Sequence, residues 1–277
     1  MDVPFSTSTI AVIIFTGILI ALTALYLTNT SNKMTNSSKE LYTSTLEPPI
    51  PTPTYGAGGS FTVLARTFIP HTTPGSVLSA IRDTSTWAHW NGFTPHFTFS
   101  PLPSPDSKTS TTPSSEPGIP PGKEGWLNLG SQGSMSVHMS GNGLEPGAKK
   151  SRSQEMVITI LEPLSSTPSS PSPLAPSSQT TQRKGYRIAW KSLGYAHWQL
   201  HSERVTELVE IDEDEGEGRK GTEYVCWETF GGALAPVVKL AVGGQLRERF
   251  GEYAGGLRGF CFAGKGGMEG EIEGEGE

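Results

Sequence analysis

Six strand-forming runs follow one another between residues 96 and 230, and no helical pattern interrupts them. Each run alternates in polarity or is rich in β-branched and aromatic residues, which is typical of strands with one buried face. Strands in an unbroken series favour an antiparallel meander. We therefore predict one antiparallel sheet, built from runs at 96–100, 126–141, 153–164, 185–193, 197–211 and 222–230 and from an earlier run at 61–69.

Two short helices are predicted between the earlier strand and this series. Residues 73–83 carry apolar side chains at helical spacing, and Thr73 is the expected N-cap. Residues 84–91 are predicted to form the second helix, with Thr84 or Ser85 as its N-cap. Two of the six tryptophans of the chain lie three residues apart on this helix, on about the same face.

A long helix is predicted at the end of the folded part, from about residue 233 to about residue 258. The pair Gly243–Gly244 is expected to bend it. An antiparallel sheet has one face to bury, and this amphipathic helix is the element available to cover it. The predicted class is therefore α+β, with a curved sheet of about six to seven strands wrapped round the C-terminal helix.

Composition separates the folded part from the rest of the chain. Apolar residues make up 35% of the sequence, against 33 Gly and 22 Pro, which favours one folded domain diluted by disordered segments. The domain is predicted at 59–262, after a disordered linker at 28–58. Pro- and Ser-rich disordered inserts are predicted at 101–125 and 163–185, and an acidic disordered tail at 263–277.

An uncharged apolar run of 18 residues covers 10–27, behind a short N-terminal tail at 1–9. At ~1.5 Å per residue this run reaches about 27 Å as a helix, which is close to the hydrocarbon thickness of a bilayer. Because the preceding residues contain no Lys or Arg, a transmembrane anchor is favoured over a signal peptide. Lys33 and Lys39 follow the run, so the C-terminal domain is predicted to face the cytosol.

Charge and cysteine content limit the partners and cofactors. The net charge is −6 and no basic stripe is present, so nucleic-acid binding is not expected. The two cysteines, Cys226 and Cys261, have no metal-ligand spacing and are predicted to be reduced thiols. His197 and His201 would lie ~13 Å apart in a strand, too far to share a zinc ion. We expect no metal, no cofactor and a monomeric protein.

Four segments resemble the helix-grip fold of the SRPBCC superfamily, which includes START lipid-transfer domains, polyketide cyclases and coenzyme Q-binding proteins. They are FTVLARTFIPHTTPGSVLSAIRDTSTWAHWNGFTP (61–95), SERVTELVEI (202–211), GTEYVCWETFGG (221–232) and LAPVVKLAVGGQLRERFGEYAGGLRGF (234–260). The similarity covers roughly 60–262 apart from the two inserts, and the first segment looks especially like stand-alone fungal-type members. It implies a hollow between the sheet and the long helix, closed at one end by the two short helices.

Strand alternation predicts which side chains line this hollow. In 153–164, for example, Met156, Ile158 and Ile160 share one face. The inward residues of the strands, the tryptophan pair and two positions on the long helix form the predicted ligand site: Trp87, Trp90, Phe97, Phe99, Met135, Val137, Met156, Ile158, Tyr186, Ile188, Trp190, Trp198, Leu200, Arg204, Cys226, Glu228, Leu234 and Val238.

Few polar residues accompany this apolar set. Arg204 shares a face with Trp198 and Leu200 and is the expected inward cation, so its neighbour Glu203 must face outward. Glu228 shares a face with Cys226, and a structural ion pair is the plainer interpretation of these charges. The sequence contains no nucleophile elbow, dinucleotide fingerprint or P-loop, and we identify no catalytic residue.

The sequence therefore predicts a membrane-anchored domain that binds or carries a lipid, sterol, quinone or polyketide-like molecule. One alternative is an enzyme of the cyclase or aromatase kind that uses Arg204, Glu228 or His201 as acid–base groups. The other is an adaptor with a filled core, whose inserts contact partner proteins.

Overall fold

The computed structural model describes residues 41–100, 118–145, 151–164, 183–212 and 220–266. Within them, all eight strands belong to one antiparallel sheet, so the predicted α+β class is confirmed with more strands than expected. The strands are β1 (Leu41–Leu46), β2 (Phe61–Pro70), β3 (Phe97–Phe99), β4 (Gln132–Val137), β5 (Arg152–Pro163), β6 (Gly185–Ser192), β7 (His201–Ile211) and β8 (Gly221–Gly231). The helices are α1 (Pro74–Arg82), α2 (Trp87–Trp90) and α3 (Ala235–Gly266).

The strand order across the sheet is β1-β2-β8-β7-β6-β5-β4-β3. The chain leaves β2, passes through α1 and α2, and enters the far edge of the sheet at β3. It then returns strand by strand until β8 pairs with β2. This route places β7 and β8 near the middle of the sheet, where Arg204 lies directly opposite Glu228.

Side-chain caps mark the start of α1 and of the 3₁₀ turn that leads into α2. Thr73 caps α1, as predicted, because its side-chain oxygen accepts a hydrogen bond from the backbone of Ser76. Asp83, and not Thr84 or Ser85, caps the 3₁₀ turn that precedes α2, since the Asp83 carboxylate accepts a hydrogen bond from Ser85 N at 3.2 Å. This turn covers Thr84–Thr86 and shortens α2 to Trp87–Trp90.

Both faces of the sheet bury apolar side chains, whereas the sequence predicted only one such face. The inner face packs against the three helices and carries the main core. The outer face carries a smaller cluster formed by Ile50, Leu64, Ala189, Val205, Val225 and Trp227. Ile50 comes from the segment between β1 and β2, so this segment helps to cover the outer face.

Strand β1 lies inside the predicted linker 28–58. Its six residues pair with β2, from Leu41 opposite Thr67 to Leu46 opposite Thr62, and α3 packs against it. Residues 41–58 are therefore part of the folded domain, contrary to the prediction. The strand is missed because its short alternation, LYTSTL, is embedded in a polar and Pro-rich stretch.

A β-bulge in β5 changes the face of one predicted core residue. The register with β6 shifts between Ile158 and Ile160. Ile160 therefore packs against the outer cluster, and Leu161 takes the next inner position. The alternation predicted for Met156, Ile158 and Ile160 fails at this last residue, because a bulge inserts one extra residue into the strand.

The predicted insert 101–125 is partly folded. Residues 101–117 lie outside the described part of the chain, as do 165–182 of the second insert. Residues 118–125, however, lie on the domain, where the Arg82 guanidinium donates to Pro120 O at 2.7 Å and Ile119 is buried. A buried arginine side chain thus holds a segment that lacks secondary structure.

The predicted transmembrane segment 10–27 also lies outside the described residues, together with the tails at 1–9 and 267–277. Among the helices that the structure describes, none combines the length and apolar character needed to cross a bilayer.

Candidate functional site

The tryptophan pair at the start of the domain is buried. Trp87 donates its indole N–H to Ile81 O at 3.1 Å, and the Trp90 indole donates to Thr86 Oγ1 at 3.3 Å. The Trp90 ring packs edge-on against Tyr253 of α3, with 5.1 Å between ring centroids. The pair is therefore part of the packed core, and Trp90 forms a wall with α3.

Arg204 is the charged side chain at the centre of the inner face. Its guanidinium donates two hydrogen bonds to the same oxygen of Glu228, from Nε at 2.9 Å and from Nη2 at 2.8 Å. Arg204 is 4% exposed, and the side chain of Glu228 is 14% exposed. The inward orientation predicted for Arg204 is therefore confirmed, and the ion pair that it forms with Glu228 is almost completely buried.

Four aromatic rings surround the Arg204 guanidinium. The distances from Cζ to the ring centroids are 4.3 Å for Phe250, 5.3 Å for Phe93, 5.6 Å for Trp190 and 5.9 Å for Tyr253. Rings at these distances attract a cation through their quadrupoles. The rings come from β6, α3 and the loop after α2, so three separate parts of the chain build one polar centre within an apolar wall.

Burial controls the protonation of the groups around this centre. Burial opposes the charge of Arg204, but Glu228 favours it, and the pKa of the guanidinium is raised overall. Burial is also the largest cause that raises the pKa of Cys226, against the opposing effects of Arg204 and of hydrogen bonds from Thr206 and Tyr224. The Cys226 thiol therefore stays protonated near neutral pH and is a poor nucleophile.

Most of the predicted lining residues are brought together on the inner face. Those that are buried are Trp87, Trp90, Met135, Met156, Ile158, Ile188, Trp190, Arg204 and Cys226. Those that are half-buried are Phe97, Val137, Tyr186, Leu200, Glu228 and Val238. The inner face is therefore closed over most of its area and less well covered beside the first turns of α3, where Val238 lies.

Three predicted lining residues are exposed. Trp198 is 69% exposed because residues 197–199 form a turn ahead of β7 and do not continue the strand. Leu234 is 43% exposed and precedes the first residue of α3, and Phe99 ends the edge strand β3. Trp198 and Leu234 belong to one corner, where Ala233 N donates to Trp198 O and Leu234 N to Gln199 O.

Sequence reasoning missed the aromatic residues that surround Arg204 from outside the strands. Phe250 and Tyr253 lie one turn apart on α3, and their spacing predicted only a buried helix face. Phe93 lies in the loop after α2, where no periodicity applies. The available signal was the three-residue spacing of Phe250 and Tyr253, which puts both rings on one side of a helix.

His201 lies on the outer face and takes no part in this site. A turn brings its ring onto that of His197, with 4.0 Å between centroids, so the predicted separation of ~13 Å is wrong. Tyr55 packs on both imidazoles. Glu203 also faces outward, as predicted, and its carboxylate accepts hydrogen bonds from Thr54 and Thr159. No three His, Cys, Asp or Glu side chains among the described residues form a possible metal site.

One curated fungal protein shares substantial sequence with this chain. It is the oxopyrrolidines biosynthesis cluster protein O of Penicillium oxalicum, with 30% identity over 177 residues. The alignment covers 62% of this chain and 72% of the fungal protein. The chain belongs to the family of this protein. No family model matches the chain.

Two solved structures with more distant sequences also resemble this chain in part. A hypothetical protein from Helicobacter pylori has a TM-score of 0.45 and 11% identity, over 72% of this chain and 86% of that chain. Human STARD10 has a TM-score of 0.44 and 9% identity, over 86% of this chain and 76% of that chain.

Proposed function

We propose that this chain is a membrane-anchored member of the SRPBCC superfamily that binds or carries a hydrophobic small molecule. The ligand would lie between the inner face of the sheet and α3, in contact with the aromatic rings around Arg204. Residues 10–27 would anchor the protein, with the folded domain on the cytosolic side of the membrane.

The buried Arg204–Glu228 pair is the observation that carries this proposal. A buried ion pair is often no more stabilising than apolar residues of similar volume, because both charges lose their hydration. Its presence therefore favours a role beyond core stability. A small number of polar groups in a wall of aromatic and aliphatic side chains is the usual composition of a ligand site.

Access is proposed beside the first turns of α3. Leu200, Val238 and Val242 are only half-buried there, although they pack against the main core. The N-terminal part of α3 also has exposed apolar residues, including Val237 and Leu240. Movement of this part of the helix would open the inner face without disturbing the packing of Phe250 against Arg204.

The related fungal protein is named for an oxopyrrolidines biosynthesis cluster. We therefore favour a ligand from small-molecule biosynthesis, of the polyketide-like kind, over a bulk membrane lipid. A binding role is favoured over turnover because the Cys226 thiol is protonated and His201 lies on the opposite face of the sheet. Of the three acid–base candidates predicted from the sequence, Arg204 and Glu228 lie on the inner face.

Native mass spectrometry of the full-length protein, purified from a eukaryotic host, tests the proposal. We expect a discrete additional mass, and organic extraction should release the bound compound for identification. A protein that carries no small molecule and takes up neither fluorescent lipid nor quinone probes would contradict the proposal and favour the adaptor with a filled core.

Two tryptophan variants give a matched comparison. Trp190→Phe alters a ring that packs on the inner face, whereas Trp198→Phe alters a ring that is 69% exposed. We expect the first variant to lower the amount of bound ligand and the second to leave it unchanged. Equal amounts of bound ligand in the two variants would show that the ring of Trp190 is not part of the site.

A further inference from the structure

Tyr253 presents a buried hydroxyl group that has no partner. The residue is 3% exposed, and within the described part of the chain nothing lies in hydrogen-bonding position to its Oη. Its ring contacts Trp90 and lies 5.9 Å from Cζ of Arg204. Buried hydroxyl groups are nearly always hydrogen-bonded, and one without a partner destabilises the fold.

The arginine and thiol groups beside Tyr253 are not hydrogen-bonded to its hydroxyl group. Arg204 has only N–H donors and no acceptor. The Cys226 sulfur already accepts hydrogen bonds from Thr206 and Tyr224. Burial and the proximity of Cys226 raise the pKa of Tyr253, so its phenol keeps the proton at physiological pH. The inner face therefore offers one O–H donor for which the protein supplies no acceptor.

The charge balance of the site restricts which kind of ligand can supply the acceptor for the Tyr253 hydroxyl. Arg204 and Glu228 neutralise each other, and aromatic rings surround the guanidinium. An ionised ligand would therefore be buried without a counter-charge, which is strongly unfavourable. A neutral ligand oxygen, such as that of a ketone or lactam, can accept the Tyr253 proton without adding charge.

We infer that the inner face selects neutral, largely apolar molecules that carry a carbonyl oxygen, and that Tyr253 donates the hydrogen bond that recognises this oxygen. This inference rests on the proposed function, because it assigns a chemical class to the ligand of the same site. Tyr253 is then a specificity-determining residue, and the aromatic wall supplies most of the affinity.

Two probes of similar shape separate the contribution of the Tyr253 hydrogen bond from that of the aromatic wall. 2-Acetylnaphthalene and 2-ethylnaphthalene differ in the carbonyl oxygen, and equilibrium dialysis of the full-length protein in lipid nanodiscs, against empty nanodiscs, measures the binding of each. We expect the wild-type protein to prefer the acetyl compound by about 10-fold, the scale of one hydrogen bond. Tyr253→Phe should remove this preference and leave the affinity for the ethyl compound unchanged.

Tyr224→Phe is the control, since Tyr224 is also buried on the inner face but its hydroxyl is hydrogen-bonded to Cys226. This variant should keep the preference for the acetyl compound. If Tyr253→Phe also keeps it while both probes bind, the inference is wrong and the proposed function stands. A wild-type protein that binds both probes equally would overturn the inference alone, whereas one that binds neither probe and also carries no small molecule in the mass-spectrometry test would overturn both.

Discussion

A guanidinium group at the centre of an apolar face is stable only while its charge is balanced. Arg204 satisfies this condition through two hydrogen bonds to Glu228 and through the rings that surround it. Removing either charge leaves the other buried without a partner. The pair should therefore behave as one unit when the stability of the protein is measured.

Arg204→Met should lower the free energy of unfolding by about 3 kcal/mol, because the Glu228 carboxylate is left uncompensated. The double variant Arg204→Met with Glu228→Gln should recover a large part of this loss, since no charge then remains. Urea unfolding of the full-length protein, followed by tryptophan fluorescence, measures both values.

The exposed pair Arg66–Glu223 supplies the comparison for this measurement. The Arg66 side chain is 52% exposed, so Arg66→Met should change stability by less than about 1 kcal/mol. A double variant of the buried pair that is no more stable than Arg204→Met alone would mean that Arg204 and Glu228 do not interact energetically.

The face of the sheet on which a side chain lies was predictable from the sequence wherever the strand is regular. Alternation alone placed Arg204 inward and Glu203 outward, because neighbouring side chains of a strand point to opposite faces. The same rule failed at Ile160 and Trp198, where a bulge and a turn interrupt the strand. Nothing in the residue types at these two positions distinguishes them from regular strand residues.

At the scale of one element, helix α3 has two unlike parts. Its longer C-terminal part buries Phe250, Tyr253 and Leu257, whereas Val237 and Leu240 near its start are exposed. Gly243 and Gly244 lie between these two parts, and the helix continues through them. Glycine in a helix interior is about 1 kcal/mol less favourable than alanine, so this junction is intrinsically weak.

Gly244→Ala should raise the free energy of unfolding by about 0.5–1 kcal/mol, because a Cβ atom at this position would meet no atom within 4 Å. Gly256→Ala on the same helix should be strongly destabilising, since its Cβ would collide with the carbonyl oxygen of Trp90. Urea unfolding compares the two variants. A destabilised Gly244→Ala protein would show that the junction depends on its glycine backbone.

Elements with long periodic patterns were predictable, and elements defined by tertiary contact were not. β5, β6 and β8 begin and end within one residue of the predicted limits, as strands with one buried face should. Strand β1 and residues 118–125 carry too few apolar residues to be recognised locally. They fold because β2 offers an unpaired edge and because Arg82 reaches Pro120.

At the scale of the whole molecule, membrane attachment is a prediction from residues 10–27 alone. The full-length protein should stay in the membrane fraction during alkaline carbonate extraction, because a helix of 18 uncharged residues can span the hydrocarbon core. Deleting 10–27 should release the protein into the supernatant. In sealed membranes that carry the full-length protein, protease added to the cytosolic side should degrade the folded domain.

Deleting residues 165–182 is the control for this experiment, since the segment has the same length and lies in a predicted insert. This variant should remain in the membrane fraction. Release of the wild-type protein by carbonate would show that residues 10–27 do not form an anchor.

Strand β1 has a consequence for any shortened form of the protein. It pairs along six residues of β2, while the opposite edge of the sheet ends in the three-residue strand β3. Without residues 41–46, backbone N–H and C=O groups of the ten-residue strand β2 would lose their partners. Such an edge is a template for pairing with a second chain. A product that begins between residues 47 and 60 keeps β2 and should therefore self-associate, so proteolysis in this segment would yield an aggregation-prone species.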